Sequence, residues 1–328
     1  MKKHARTLSL ILLILLLLSL CLTSCTAQLP NSSDGKDETP PAPTEEGPVS
    51  PDETPAEENN TPPSAPLPEK NDYPTGRAHI KSIAHRGFSE KAPENTLAAF
   101  HAAKQQGFMY VECDVSFTVD GVAVLLHDKS VDRTSNGTGL VSEMTYAELC
   151  ELDFGLWFDP LYEGERIPSL SEFVLLCKQL GLHPYIELKT GTQEQIRSAT
   201  EIVRRYGMKE NVTFISFRTD LLDVVKQEMP DVRLGLIVEE ITENTLQKVT
   251  TILQTPENSV FINCTYQNAT EEAVLLCAAA DIPLEVWTVN DESTVFELDP
   301  YISGVTSNCL QADILLYNNA IADLEEDN

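Results

Sequence analysis

The stretch "SIAHRGFSEKAPENTLAAF" (Ser82–Phe100) reads as a strand, a turn and the start of a helix. A short apolar run ends in His85, Arg86 and Gly87. A Pro-Glu-Asn-Thr turn (Pro93–Thr96) follows, and a helical pattern begins. Strand ends are where α/β proteins keep their chemistry, which makes His85 and Arg86 the first candidates for a site. Neighbouring strand residues point apart. Arg86 therefore joins His85 only if the chain turns just past the strand, and Gly87 permits such a turn.

The same unit recurs from Arg77 onward. The apolar runs are "HIKSIAH", "MYVECDVSF", "VAVLLHD", "LHPYIELK", "VTFISF", "RLGLIVE", "SVFINCT", "PLEVWTV" and "ISGVTS". Between them lie helical patterns such as "SLSEFVLLCKQLG", "TQEQIRSATEIVRRYG" and "TEEAVLLCAAAD". Several open with Thr, Ser or Asp, as N-caps do, and some close with glycine, as C-caps do. Alternating strands and helices predict a mostly parallel sheet. About eight such units in about 250 residues predict an α/β fold of the (β/α)8 TIM-barrel type. A doubly wound open sheet is the rival, but the sequence lacks the glycine-rich loop that usually follows its first strand. Residues 129–168 are long and irregular, and they predict a small inserted subdomain.

Alternation puts Glu112 and Asp114 on one face of "YVECDVSF", with Cys113 opposite. Two carboxylates in an apolar strand are costly unless something cationic sits between them. Hard oxygen ligands suit Mg²⁺, Ca²⁺ or Mn²⁺; a solvated strand end or a Lys or Arg partner would also account for this pair alone. In "VAVLLHD", Ala123, Leu125 and His127 are expected to face inward and Val122, Val124 and Leu126 the helices. In "YIELKTG", Glu187 and Lys189 share a face just before a turn. His85, Glu112, Asp114, His127, Glu187 and Lys189 are thus all predicted at carboxyl ends of barrel strands, on the rim where such barrels keep their active sites. Three carboxylates with one hard metal make a Lewis-acid site, and two imidazoles give an acid and a base near neutral pH. Lys189 and Arg86 suit anionic oxygens, with Arg86 able to grip phosphate in bidentate fashion. That inventory fits displacement at phosphorus.

These stretches resemble the glycerophosphodiester phosphodiesterase family, in its bacterial lipoprotein form. The resemblance is an ordered series: "AHRG" (Ala84–Gly87), "PENT" (Pro93–Thr96), "VECDV" (Val111–Val115), "LLHD" (Leu125–Asp128), "GERIPSL" (Gly164–Leu170), "IELK" (Ile186–Lys189), "ISF" (Ile215–Phe217) and "VWTVN" (Val286–Asn290). It implies a (β/α)8 barrel with an insertion, and hydrolysis of deacylated phospholipids to glycerol 3-phosphate and an alcohol. It puts the general acid and base on His85 and His127. It puts the ligands of one divalent cation, Ca²⁺ or Mg²⁺ with Mn²⁺ as a third option, on Glu112, Asp114 and Glu187. Arg86 and Lys189 match phosphate contacts, Trp287 is expected to wall the glycerol pocket, and Asp128 to orient its neighbourhood. A cyclic-phosphate route and direct attack by water both stay open, as does which histidine is the acid. The last strand ends in "VTSNC" (Val305–Cys309), where the family often has Thr-Asp. Ser307 and Asn308 put the rim contact from that strand in question.

Ahead of the fold, Lys2, Lys3 and Arg6 precede an unbroken apolar core, and "LTSC" (Leu22–Cys25) resembles a bacterial lipobox. The expectation is a signal peptide over 1–24 and a membrane lipid on Cys25, with an uncleaved transmembrane anchor as the alternative. Either puts the rest outside the cytoplasm. Residues 25–76, rich in proline and acid, are expected to be a disordered linker before a barrel at 77–328. A net charge of −28 argues against a nucleic-acid partner. The remaining cysteines, Cys113, Cys150, Cys177, Cys264, Cys277 and Cys309, show no CxxC pairing and are expected to be small core residues. A hydrolase of lysophospholipids or polyglycerol-phosphate wall polymers, or a non-catalytic glycerophosphodiester-binding lipoprotein, are the alternatives. Oligomeric state is open.

Overall fold

Nine strands form at the apolar runs: β1 (Lys81–Ala84), β2 (Tyr110–Phe117), β3 (Ala123–Leu125), β4 (His183–Leu188), β5 (Thr213–Ser216), β6 (Arg233–Val238), β7 (Val260–Thr265), β8 (Leu284–Trp287) and β9 (Ile302–Ser307). All but β3 run parallel, and they close into a ring through the β1–β2 and β1–β9 pairings. This is the (β/α)8 barrel that the sequence predicts. The computed structural model describes residues 80–255 and 259–318. The signal peptide expected over 1–24, the lipid site at Cys25 and the linker over 25–76 lie outside the described residues.

Among the described residues the helices include α1 (Leu97–Gln106), α2 (Tyr146–Leu149), α3 (Leu170–Leu180), α4 (Gln193–Arg205), α5 (Thr219–Glu228), α6 (Glu243–Lys248), α7 (Glu271–Ala279) and α8 (Glu292–Glu297). Thr96, Ser169, Thr192, Thr242, Thr270 and Asp291 cap α1, α3, α4, α6, α7 and α8 by accepting first-turn amide hydrogens. Each such cap is worth about 1 kcal/mol. In α4, Ile196, Ala199, Thr200 and Val203 are buried at helical spacing, which gives the helix one face against the barrel. The six cysteines of the fold are free; Cys113, Cys177, Cys264 and Cys277 are buried, whereas Cys150 and Cys309 are only half-buried.

One expected barrel strand is not one. β3 runs antiparallel to β2, with Val115 opposite Leu125 and Phe117 opposite Ala123, and it stands outside the ring. The turn between them explains this. The Thr118 amide donates to the Val122 carbonyl at 3.0 Å, and the Val122 amide donates to the Thr118 hydroxyl at 2.9 Å, which closes it. A parallel partner would need a crossover of a dozen residues or more. Val124 and Leu126 consequently face the insertion, not the helical shell. With Val131, Val141, Leu149, Phe154 and Ile167 they form a separate small core.

Inside the ring the inward side chains stack in layers. At the amino end, Lys81, Arg233 and Tyr185 converge on Glu285 Oε1 at 3.0, 2.9 and 3.3 Å. Above them Ile83, Ile215, Ile237 and Phe261 fill the barrel, packed on the Tyr185 ring. This apolar belt separates the charged floor from the carboxyl-end rim.

Candidate active site

β1 stops at Ala84, and the next residues turn sharply. Arg86 and Gly87 take left-handed backbone, φ +58° and +81°. A Cβ on Gly87 would lie 2.7 Å from Ala99 of α1, so glycine alone lets the turn pack there. The Arg86 amide donates to Glu112 Oε2 at 2.9 Å. The Pro-Glu-Asn-Thr segment supplies the next support. Buried Asn95, with φ +57°, donates its amide to the Arg86 carbonyl at 3.0 Å. Its carboxamide donates to Asp114 Oδ2 at 2.8 Å and accepts from the Asp114 amide at 3.1 Å.

β2 and β4 pair so that Asp114 stands opposite Glu187. Oxygens of Glu112, Asp114 and Glu187 lie within 4.8 Å of one another, and all three residues are buried. Burial raises Glu112 well above the usual carboxylate range, and Asp114 and Glu187 push the same way. Burial, then Asp114, lifts Glu187 to about 7. Burial would raise Asp114 too, but Arg86 and Lys189 pull it down to about 2. Lys189 Nζ lies 3.3 Å from Asp114 Oδ1 and 3.1 Å from Glu187 Oε1. Glu112 Oε1 is buried without a hydrogen-bond partner. Three carboxylates, one with an unanswered oxygen, are a donor set that fits a hard divalent cation.

The two imidazoles have unlike partners. His85 Nδ1 meets Asn308 Oδ1 at 2.7 Å, and the His85 amide donates to the Ser307 carbonyl at 2.8 Å. The last strand therefore does reach the site, through Asn308. Burial, reinforced by Arg86, lowers His85 to about 4. His127 follows β3 and comes to the rim from outside the ring, where its Nδ1 meets Asp128 Oδ1 at 2.7 Å. Arg133 in turn holds Asp128 at 2.6 Å and Glu94 through two bonds of 2.8 Å.

The sequence makes Arg86 able to grip phosphate in bidentate fashion. It lines the cavity, with Nη1 held by Glu94 at 2.8 Å and Nε 3.2 Å from Asp114 Oδ2. Opposite the acids, Trp287 lines the cavity and packs edge-on against Phe217, centroids 6.1 Å apart. His85, Arg86, Glu112, His127, Glu187, Lys189 and Trp287 all line one cavity of about 180 Å³. Asp114 sits behind it, joined to Lys189. Sequence reasoning missed Glu94, Asn95 and Arg133 as supports. "PENT" and the Arg of "VDRTSNG" were the available signals, but neither spacing says what a side chain reaches.

The pattern of the Glycerophosphoryl diester phosphodiesterase family matches residues 85–312. A glycerophosphodiester phosphodiesterase of Caldanaerobacter subterraneus is 39% identical over 48% of this chain and 66% of its own length. One from Bacillus subtilis is 28% identical over 70% of this chain and 83% of its own. Among solved structures, an Oleispira antarctica phosphodiesterase in complex with the product sn-glycerol-3-phosphate superposes with a TM-score of 0.67 at 30% identity, covering 73% of this chain and 96% of that one.

Proposed function

The chain belongs to the glycerophosphoryl diester phosphodiesterase family, and on that premise we propose that it hydrolyses glycerophosphodiesters to glycerol 3-phosphate and an alcohol, with one divalent cation and two histidines. The observation that carries this reading is convergence. Glu112, Asp114 and Glu187, from two strands, come within 4.8 Å beside a cavity that His85 and His127 also line.

The roles follow from the partners. Ca²⁺ or Mg²⁺ held by Glu112, Asp114 and Glu187 would supply Lewis acidity toward the phosphate and an attacking hydroxyl. A carboxamide oxygen only accepts, so the contact with Asn308 puts the His85 proton on Nδ1 and leaves Nε2 free to take one. His85 is the base of this scheme. The Asp128 carboxylate holds the His127 ring through Nδ1, and His127 is the acid of this scheme, the group that protonates the departing alcohol. Arg133 and Glu94 keep Asp128 in place. Arg86 and Lys189 hold positive charge beside the acids, where non-bridging phosphate oxygens would lie.

The sequence supports the same arrangement for the whole chain: a signal peptide over 1–24, a lipid on Cys25, a linker over 25–76 and a barrel over 77–328, held outside the cytoplasm at a membrane. The test is release of glycerol 3-phosphate from glycerophosphocholine by the full chain, with EDTA and then with Ca²⁺ or Mg²⁺ restored. Turnover is expected to stop and return. Turnover indifferent to EDTA would sink the metal assignment. Binding without turnover would favour the binding lipoprotein, and turnover confined to lysophospholipids or wall polymers would favour the larger-substrate hydrolase.

A further inference from the structure

β7 lies across the eight-strand ring from β2. The wall facing Glu112 is therefore the side of the barrel that carries Ile237 and Trp287, while Ile215 stands beside Glu187 on the neighbouring strand. Most of this wall is apolar. Asn263 on β7 breaks the pattern. It lines the cavity, is 2% exposed, and its Oδ1 is buried without a hydrogen-bond partner. Its register neighbours are Ile237 on β6 and Glu285 on β8. Trp287 Nε1 on the same wall is likewise buried and unpartnered. A buried carboxamide left unanswered costs stability, and a leucine of similar volume would avoid that cost. Such a group in a ligand cavity marks what the ligand must bring.

We propose that Asn263 is a specificity-determining residue that accepts a hydrogen bond from the terminal hydroxyl of the substrate's glycerol, the one neither esterified nor beside the esterified carbon. This rests on the phosphodiesterase reading of the same cavity. The cations that suit a phosphate, Arg86 and Lys189, stand with the acids. The far wall is uncharged, so it receives the neutral end of the substrate. Oδ1 accepts only, so the group that meets it must donate, and a hydroxyl on a short carbon chain does so while its carbons lie against Ile237 and Trp287. A lysophospholipid acylated at that oxygen has no proton to give there. Its acyl chain would also have to pass through a cavity of about 180 Å³. The site thus selects deacylated glycerophosphodiesters.

The experiment compares glycerophosphocholine with its 2-hydroxypropyl analogue, in which a methyl group replaces the terminal hydroxymethyl. With cation present, the parent protein is expected to favour the glycerol substrate about tenfold to a hundredfold in kcat/KM. Asn263→Leu should turn over both at about the analogue's rate and unfold at a higher temperature than the parent. Calorimetric binding of glycerol 3-phosphate and of 2-hydroxypropyl phosphate should show the same contrast without any turnover. Asn263→Ser, which restores a small polar group, serves if the leucine variant does not fold, and should recover part of the preference. Equal handling of the two substrates by the parent protein overturns the proposal. So does a leucine variant that loses stability but keeps the preference, since Asn263 would then be a structural residue. If glycerol 3-phosphate binds in an Asn263-dependent way but neither diester is cleaved, the hydroxyl site stands and the phosphodiesterase reading falls.

Discussion

At the amino end of the barrel one carboxylate, Glu285, sits among Lys81, Arg233 and Tyr185. At the carboxyl end three, Glu112, Asp114 and Glu187, share Arg86 and Lys189. Both ends leave one buried carboxylate oxygen without a donor, Glu285 Oε2 and Glu112 Oε1. Burial pushes both residues the same way, yet they move oppositely. Arg233 and Lys81 overcome burial and bring Glu285 below the usual range, whereas Asp114 and Glu187 add to burial and drive Glu112 far above it. The sign of the local charge separates a carboxylate whose cations outnumber it from three carboxylates that outnumber theirs. The floor braces the fold, and the rim has the charge and geometry to take up a cation.

Substitutions can break that contrast. Glu112→Gln should cost activity on the order of a thousandfold and weaken Ca²⁺ binding by calorimetry, while the metal-free protein keeps its unfolding midpoint or gains a little. A variant that unfolds instead would make the rim a structural network like the floor. His127→Ala is expected to lower kcat roughly a hundredfold or more with glycerol 3-phosphate binding preserved; loss of binding along with rate would remove the acid from its role. Glu285→Gln inverts the pattern. It leaves Lys81 and Arg233 uncompensated, so stability should fall by about 3 kcal/mol in denaturant titration, with kcat of the folded fraction unchanged.

The smallest effect is in pH. Glu187 rises from 4.5 to about 7 in the fold, through burial and then Asp114. A raised carboxyl favours the folded state below its unfolded value, and that advantage is lost as pH climbs through the folded value. In EDTA, Glu187→Gln should therefore gain stability relative to the parent between about pH 4.5 and 7. Saturating Ca²⁺ should reverse the difference, because the parent then keeps a ligand that the variant lacks. Parallel pH profiles for the two proteins would show that Glu187 feels no crowding.

Much of this was legible in the sequence, because period-2 alternation states which residues share a face. It placed Glu112 with Asp114 and Glu187 with Lys189, and the nine apolar runs all became strands. Alternation does not give strand direction. "VAVLLHD" has the pattern of a barrel strand, and only "TVDG" (Thr118–Gly121) ahead of it, too short for a crossover, signals the reversal. Contacts across the ring were illegible for a different reason. Lys81 and Glu285 are 204 residues apart, and His85 and Asn308 are 223 apart. Nothing local in "HIKSIAH" or "VTSNC" encodes its distant partner. Asn263 was hidden within "SVFINCT", where a single amide in an apolar strand looks like an ordinary variation.

The arm that carries His127 has a consequence of its own. Its imidazole hangs from a hairpin and an inserted lobe with a private core, Val124 and Leu126 against Val131, Val141, Leu149, Phe154 and Ile167. The other imidazole and the acids belong to the ring. The two modules meet along one seam, where Ala123 and Leu125 of β3 pack in the barrel core and β3 pairs with β2, so a lobe taken from a relative re-aims His127 over unaltered acids only if it keeps that seam.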